Sequence, residues 1–278
     1  FVTDGFSVTS GSSGDDAVND GSDTYASWNW LAGTAFSNSA SSNDATIASS
    51  GEVNTTAGFS IVSYTGNGTH GTVYHGLGSA PTWIIVKDRD TFENWCVWHT
   101  GIAITKHLRF NTNDDENTPT RKRWNDTNPT ANVFSVGDAS DQGDREVNQN
   151  GEKYIAYCFT DISGYSKFGT FVGNGDDDGP FVFTGFRPAW VMIKQATAEG
   201  DWSIIDDKRQ TFNDASGNPV LRANSNTDEK DTNTMQGQID LLSNGFKVRS
   251  NNSSSNTNTK TVIYMAFANS PFKFSNAR

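Results

Sequence analysis

The residues of this chain with chemistry to offer are four histidines, one dense acidic run, a cluster of carboxylates and one tryptophan in a basic, polar stretch. The histidines are His70, His75, His99 and His107. They form no His-x-x-x-His pair and stand with no paired-Cys motif, so they read as surface or strand-edge residues and not as a zinc site. Asp176-Asp177-Asp178-Gly179 follows a Gly-Asn-Gly turn, and carboxylates on a Gly-rich loop are the oxygen donors that calcium takes. The run lacks the EF-hand spacing, so a solvated turn is the simpler reading and calcium (Ca2+) the alternative; no other cofactor is implied. Asp206 and Asp207, with Asp201 and Glu199 nearby, raise the question of glycoside hydrolysis, which needs two carboxylates about 5 to 10 Å apart across a sugar. Neighbours on a strand point to opposite faces, so Asp206 and Asp207 are badly placed for it. There is no nucleophile elbow, phosphate-binding loop or paired-cysteine motif, and the expectation is a protein that is not an enzyme. Trp124 stands beside Arg121, Lys122 and Arg123. An exposed indole among polar groups can stack on a sugar ring or on a neighbouring subunit. Trp124, Asn125, Asp176 and Asp177 are the candidate ligand contacts.

The elements that would position these residues come in two copies. Gly66-Asn67-Gly68 recurs as Gly173-Asn174-Gly175, Pro81-x-Trp83 as Pro188-x-Trp190, Lys87 as Lys194 and Trp95 as Trp202, each pair 107 residues apart. Three apolar residues separate each of Trp83 and Trp190 from its lysine. A register kept through glycines, prolines and tryptophans marks a duplication, which decides the architecture before any finer reading. Trp83, Trp95, Trp190 and Trp202 therefore read as shared core. An Asn/Asp-Gly-Phe-x-Val run occurs at 4–8 and 244–248, with a weaker copy at 132–136, each followed by a polar turn and a β-rich run at 25–30, 262–267 or 154–159. Three such tails and two heads divide the chain into the back half of a module at 1–32, a linker or extended arm at 33–57, one whole module at 58–161 and a second at 162–278. The 33–57 stretch is nearly all Ser, Ala, Asn, Thr and Gly, which suits a flexible linker, or an arm ordered against a neighbouring subunit.

Turn formers, β-branched residues and aromatics describe many short strands joined by tight turns. No amphipathic helix shows at the 3.6-residue period, and a parallel sheet would need crossover helices. The predicted class is all-β, as tandem antiparallel sandwiches. Polar 112–130, with Pro119 and Pro129, reads as a long surface loop. Cys96 and Cys158 lie in apolar runs and read as small buried hydrophobes, with their pairing left open. With 21 basic and 32 acidic residues the net charge is −11, which argues against a nucleic-acid partner and an anionic membrane surface. No apolar run approaches the roughly 18 residues that span a bilayer. Residue 1 is Phe, and a piece of a longer polypeptide is expected.

The residues Gly173–Gly175, Gly185–Lys194, Trp202–Asp206, Asn244–Val248 and Tyr264–Ala268 carry a resemblance. In that order they resemble a module of virion proteins from tailed bacteriophages, marine ones especially, and the SPRY-like or concanavalin-like sandwich class. The first copy matches less closely, with Leu77-Gly78-Ser79-Ala80-Pro81 where the second has Gly185-Phe186-Arg187-Pro188. The resemblance implies a phage structural protein located in the virion: an exposed fibre or tail fibre that meets host-surface glycans, or a capsid decoration protein. Its partners would be other virion proteins and further copies of itself, as a homo-oligomer such as the trimer common in fibres.

Overall fold

The computed structural model describes residues 5–8, 19, 24–116, 122–138, 145–209, 213, 219–227, 229 and 239–270. Residues 1–31 form one unit and 32–278 a second. Much of the half-module expected at 1–32, including Asp4, lies outside the described residues. The Tyr25 to Trp30 run, expected to be a strand, is not one; β propensity without a ladder does not make a strand.

In the second unit β1 (Thr34–Asn38), β2 (Ser49–Asn54) and β3 (Phe59–Thr65) begin a sheet that continues through β5 (Trp83–Asp88), β6 (Cys96–His99), β7 (Leu108–Arg109) and β9 (Lys153–Phe159). Its order is β1-β2-β3-β9-β5-β6-β7. Between these in sequence, β4 (Gly71–Tyr74) and β8 (Val133–Val136) form a two-stranded ribbon. The second copy repeats the plan with β10 (Ser166–Val172), β12 (Pro188–Gln195), β13 (Ser203–Asp206), β14 (Leu221–Arg222) and β17 (Thr261–Ala268), ordered β10-β17-β12-β13-β14. Its smaller sheet is β11-β16-β15, from β11 (Phe181–Phe183), β15 (Ile239–Leu242) and β16 (Gly245–Val248). Every strand pairing is antiparallel. The protein is all-β, with one four-residue helix among the described residues, α1 (Arg145–Asn148). The 33–57 stretch differs from the expected linker or arm. β2 pairs with β3 residue by residue from Asn54↔Phe59 to Ser49↔Tyr64, so its small residues serve close strand packing within the chain's own sheet.

The alternation of side chains explains the layers. On one face of the first sheet Val62, Ile84, Val86, Ala156 and Cys158 are buried, as are Val73, Phe134 and Val136 of the ribbon; Tyr64 meets Phe134 edge-on at 6.1 Å. Cys96 and Cys158 are buried in this layer and not bridged to each other, and burial pushes Cys158 up to about 12. In the second copy, Phe171, Val191, Ile193, Val262 and Tyr264 pack on Val182, Phe246 and Val248.

The opposite faces of the two large sheets pack on each other. Trp83 lies 5.9 Å from Trp202 and 6.3 Å from Phe168, Phe159 lies 5.8 Å from Phe168 and 6.3 Å from Phe267, and Phe110 meets Trp202 at 5.1 Å. The Trp202 indole N–H donates to the Arg109 carbonyl at 2.9 Å. β12 and β17 are consequently buried on both faces, which is why their sequences read as unbroken apolar runs. Part of the expected surface loop belongs here: the Gly200 N–H donates to Asn113 O at 2.9 Å and the Glu116 N–H to Ala196 O at 2.6 Å. Pro119 and Arg121 lie outside the described residues.

Removing the largest side chain of this contact leaves a cavity and an orphaned carbonyl. Trp202→Ala is expected to cost about 3–5 kcal/mol in urea unfolding. Paired with Trp83→Ala it should show a coupling of about 0.5–3 kcal/mol, while the wild-type repeats unfold in one transition.

Candidate functional site

The two Gly-Asn-Gly segments are held by the same device. In the first copy the fully buried Asn148 donates from its amide nitrogen to Asn67 Oδ1 (3.2 Å), Thr69 O (2.6 Å) and Gly137 O (2.7 Å), and its Oδ1 accepts the Asn67 N–H at 3.0 Å. In the second, Asn256 donates to Asn174 Oδ1 (3.0 Å), Asp176 O (2.9 Å) and Ser250 O (2.8 Å), and accepts the Asn174 N–H at 3.0 Å. The backbone carbonyls of the same asparagines accept the N–H of Gly68 and Gly175. Both of those glycines have positive φ, 72° and 70°. A Cβ on Gly66 would run into the Gln149 carbonyl oxygen, and one on Gly173 into that of Thr257. So the glycines are needed less for a tight hairpin turn than for a close approach to a second loop. Each buried asparagine uses its donors and acceptor fully, as a buried amide must.

The loop that follows differs between copies. In the second it is two residues longer and carries Asp176 and Asp177, both exposed. Asp176 Oδ1 accepts the Asp178 N–H at 2.9 Å, Asp177 Oδ1 accepts the Asn251 N–H at 3.0 Å, and Asp178 pairs with Lys247 at 2.7 Å. Lys247 holds the Asp178 carboxyl below its usual range. A loop whose carboxylates already serve backbone N–H groups and a lysine does not fit a calcium ion, which needs six or more oxygens turned inward.

Trp124 is a correction. It is 3% exposed, so its indole face is not offered to a sugar. The polar sequence around it misleads because Arg123 turns inward. Glu146, 3% exposed, accepts from Arg123 Nε at 2.7 Å, from Arg109 Nη2 at 2.9 Å and from Asn94 at 3.1 Å. Arg123 Nη1 also lies 3.4 Å from His107 Nδ1. Burial raises the Glu146 carboxyl, but Arg123 above all carries it below its ordinary value. This ion cluster fixes α1 and the Trp124 turn. Asn125 is partly buried, with φ 49°. The structure brings Asp176 and Asp177 together on one loop; Trp124 and Asn125 sit in the other copy.

Three histidines are also corrections. His75, His99 and His107 are buried, and only His70 is exposed. His75 Nδ1 accepts the Leu77 N–H at 3.2 Å and His99 Nδ1 accepts the Gly101 N–H at 2.8 Å. Burial pulls His75 down to about 4 and His99 and His107 to about 3. All three are neutral, and His75 and His99 hold turns, a role no periodicity in the sequence signals. Asp206 is buried and bonded to Arg209 Nε at 2.6 Å, and Asp207 to Asn269. No group of three or more His, Cys, Asp or Glu able to hold a metal occurs among the described residues.

A second repeated network went unread. The Trp95 N–H donates to Asn111 Oδ1 and the Asn111 amide to Asn94; the Trp202 N–H donates to Asn224 Oδ1 and the Asn224 amide to Asp201. Its signal was the recurrence of Leu-Arg-x-Asn at 108–111 and 221–224. Both networks lie in a stretch that one sequence family spans, described as a domain of unknown function (DUF7483) and matching residues 1–271. This chain belongs to the DUF7483 family. No curated protein and no solved structure matches it. The DUF7483 match covers both copies, so the back-to-back pair lies within one family unit.

Two outcomes are expected of DUF7483 in solution. Asn256→Ala strands several buried polar groups and should cost about 3 kcal/mol, with faster amide exchange at Asn174 and Gly175. The second concerns pH. The folded chain holds three histidines below their ordinary 6.5, so between about pH 4 and 6.5 the unfolded chain binds protons that the folded one does not. Stability then rises with pH across that window and falls on acidification, each histidine adding a slope of up to about 1.4 kcal/mol per unit. Urea midpoints from pH 4 to 7 measure it, and His99→Gln should flatten the slope.

Proposed function

We propose that this chain is a non-enzymatic structural protein of a tailed-phage virion, an exposed fibre or tail-fibre segment whose sandwich modules meet host-surface glycans. The observation that carries the reading is the duplicated loop support. Asn148 and Asn256 pin two Gly-Asn-Gly loops with matching hydrogen bonds, which suits a scaffold that displays loops rigidly. Two similar displays on one chain, multiplied in a homo-oligomer, raise avidity without any strong single site. His75, His99, His107 and Lys194, all displaced by burial, are sealed away from solvent, an arrangement suited to architecture and ill suited to turnover. Asp176 and Asp177 are the contacts this reading retains, with Asn125 second and Trp124 withdrawn. Its partners are other virion proteins and further copies of itself; no nucleic acid and no membrane insertion enter it.

A purely structural place, as capsid decoration, is the second reading. It is favoured by exposed Phe181 and Phe183, 47% and 64% accessible, which look built for a protein neighbour. Adsorption separates the two. In particles carrying Asp176→Ser with Asp177→Ser, host adsorption is expected to fall about tenfold, the equivalent of about 1.4 kcal/mol. Unchanged adsorption, with antibody against the chain decorating the shell, would place it as decoration instead.

A further inference from the structure

One side of the first sandwich is closed by a hairpin of this chain, and among the described residues nothing pairs with the same side of the second. In the first copy β2 pairs with β3, with Glu52 opposite Ile61 and Ser50 opposite Ser63. The segment leading into β2 runs beside β4. The Thr72 carbonyl accepts the N–H groups of Thr46 and Ile47, both at 3.0 Å, the Thr72 N–H donates to Thr46 Oγ1 at 2.8 Å, and Ser49 Oγ donates to Tyr74 O at 3.0 Å. Phe36 of β1 packs edge-on over Tyr74 at 5.5 Å. The hairpin 34–54 therefore covers the edges of both layers.

Strand register transfers this side to the second copy. Val73 opposite Phe134 corresponds to Val182 opposite Phe246, so Thr72 and Tyr74 correspond to Phe181 and Phe183. In the large sheets, Ser63 and Thr65 correspond to Thr170 and Val172. Here β10 and β11 are both end strands. The Val248 N–H donates to Pro180 O and the Thr184 N–H to Asn244 O. These bonds turn the main-chain groups of Phe181 and Phe183 away from β16, because alternate residues of an antiparallel strand face opposite partners. By the same rule the bond from the Ala268 N–H to Tyr165 O turns those of Thr170 and Val172 outward. Only the start of β10 is capped, where Asp161 Oδ1 accepts the Phe168 N–H at 3.0 Å. Val172 is 58% exposed, and the two phenylalanines stand where the covered copy has Thr and Tyr.

We propose that this open side is a docking site for an extended arm of a different polypeptide, which adds a strand to β10 and runs beside β11 as hairpin 34–54 adds to β3 and runs beside β4. The covered copy states the chemistry of the arm. It is a run of mostly small residues, with Asp44 and Glu52 its two charges, that lets backbones close in, as Gly51 does where a Cβ would strike the Ile61 carbonyl oxygen. It also brings a large apolar side chain to lie over Phe181 and Phe183 as Phe36 lies over Tyr74. Among the described residues there are two such sides and one such hairpin, engaged on the first side in a second copy as in this one, so the occupant is assigned to a different polypeptide. An exposed apolar edge left bare is a site of uncontrolled pairing, and a dedicated arm removes that hazard. The inference stands on the fold and does not depend on the virion reading.

The probe is a fluorescently labelled synthetic peptide of residues 34–54, titrated into the intact chain and followed by anisotropy. Saturable one-to-one binding is expected, at least tenfold weaker in Phe183→Asp and in Phe181→Asp. Both substitutions fall on exposed positions, so an unchanged thermal melt is expected; Phe183→Ser carries the same expectation if the charged variant alters it. No saturable binding, or binding equally tight in these variants, overturns the proposal. Self-association of the chain alone, abolished by Phe183→Asp in light scattering, gives the side to a second copy and overturns the proposed occupant.

Discussion

Each large sheet of this protein is apolar on both faces, and the contact between their outer faces is the constraint on which the rest depends. Phe168, Trp202 and Phe267 of the second copy cover Trp83, Phe110 and Phe159 of the first. Either repeat alone would wet a broad aromatic surface, a cost on the scale of several buried side chains. Lys194 shows how firmly the contact is made. Its side chain is fully buried, with Nζ donating to Gln195 O at 2.8 Å and Asn113 O at 3.3 Å. Burial draws its ammonium down to about 8 against the pull of Asp115 and Asp114. A cation is tolerated there because carbonyl oxygens from both repeats replace its water.

The two copies diverge where they meet and agree where they do not. Lys87, the counterpart of Lys194, is partly exposed and bonds only locally, to Asp88 O and Thr91 O. Trp95 is partly exposed where Trp202 is fully buried. His99 stands opposite Trp83, and Asp206 opposite Trp190. By contrast, the asparagine supports of the Gly-Asn-Gly loops, away from the contact, keep the same paired bonds to Asn67 and Asn174.

Much of the architecture was legible in the sequence because the duplication preserved residues with few substitutes. Gly66, Pro81, Trp83 and Lys87 gave a register, and the strand order repeats along it. The purpose of the glycines was not legible. The asparagines that hold these loops, Asn148 and Asn256, lie 81 and 82 residues from Asn67 and Asn174 in polar stretches with no apolar period. Burial of polar residues was misread for the same reason: nothing local distinguishes His75, His107 or Arg123 from surface residues until the Thr130 carbonyl or Glu146 arrives from elsewhere in the chain. The 33–57 stretch was misread because small polar residues describe a loose linker and a closely packed edge hairpin equally well. Trp124 was placed outside because a basic neighbourhood usually means solvent, whereas here Arg123 is turned in to a buried carboxylate.

Strand order carries a consequence for how the chain is made. In both copies the strand synthesised last, β9 and then β17, sits in the interior of its large sheet, β9 between β3 and β5 and β17 between β10 and β12. A ribosome delivering this chain from its amino end must release most of each sandwich with a gap at its centre. Neither sheet can knit until its final strand arrives about a hundred residues after its first, which is slow, long-range closure. Nascent chains of this kind have reason to rely on a chaperone until the second gap is filled.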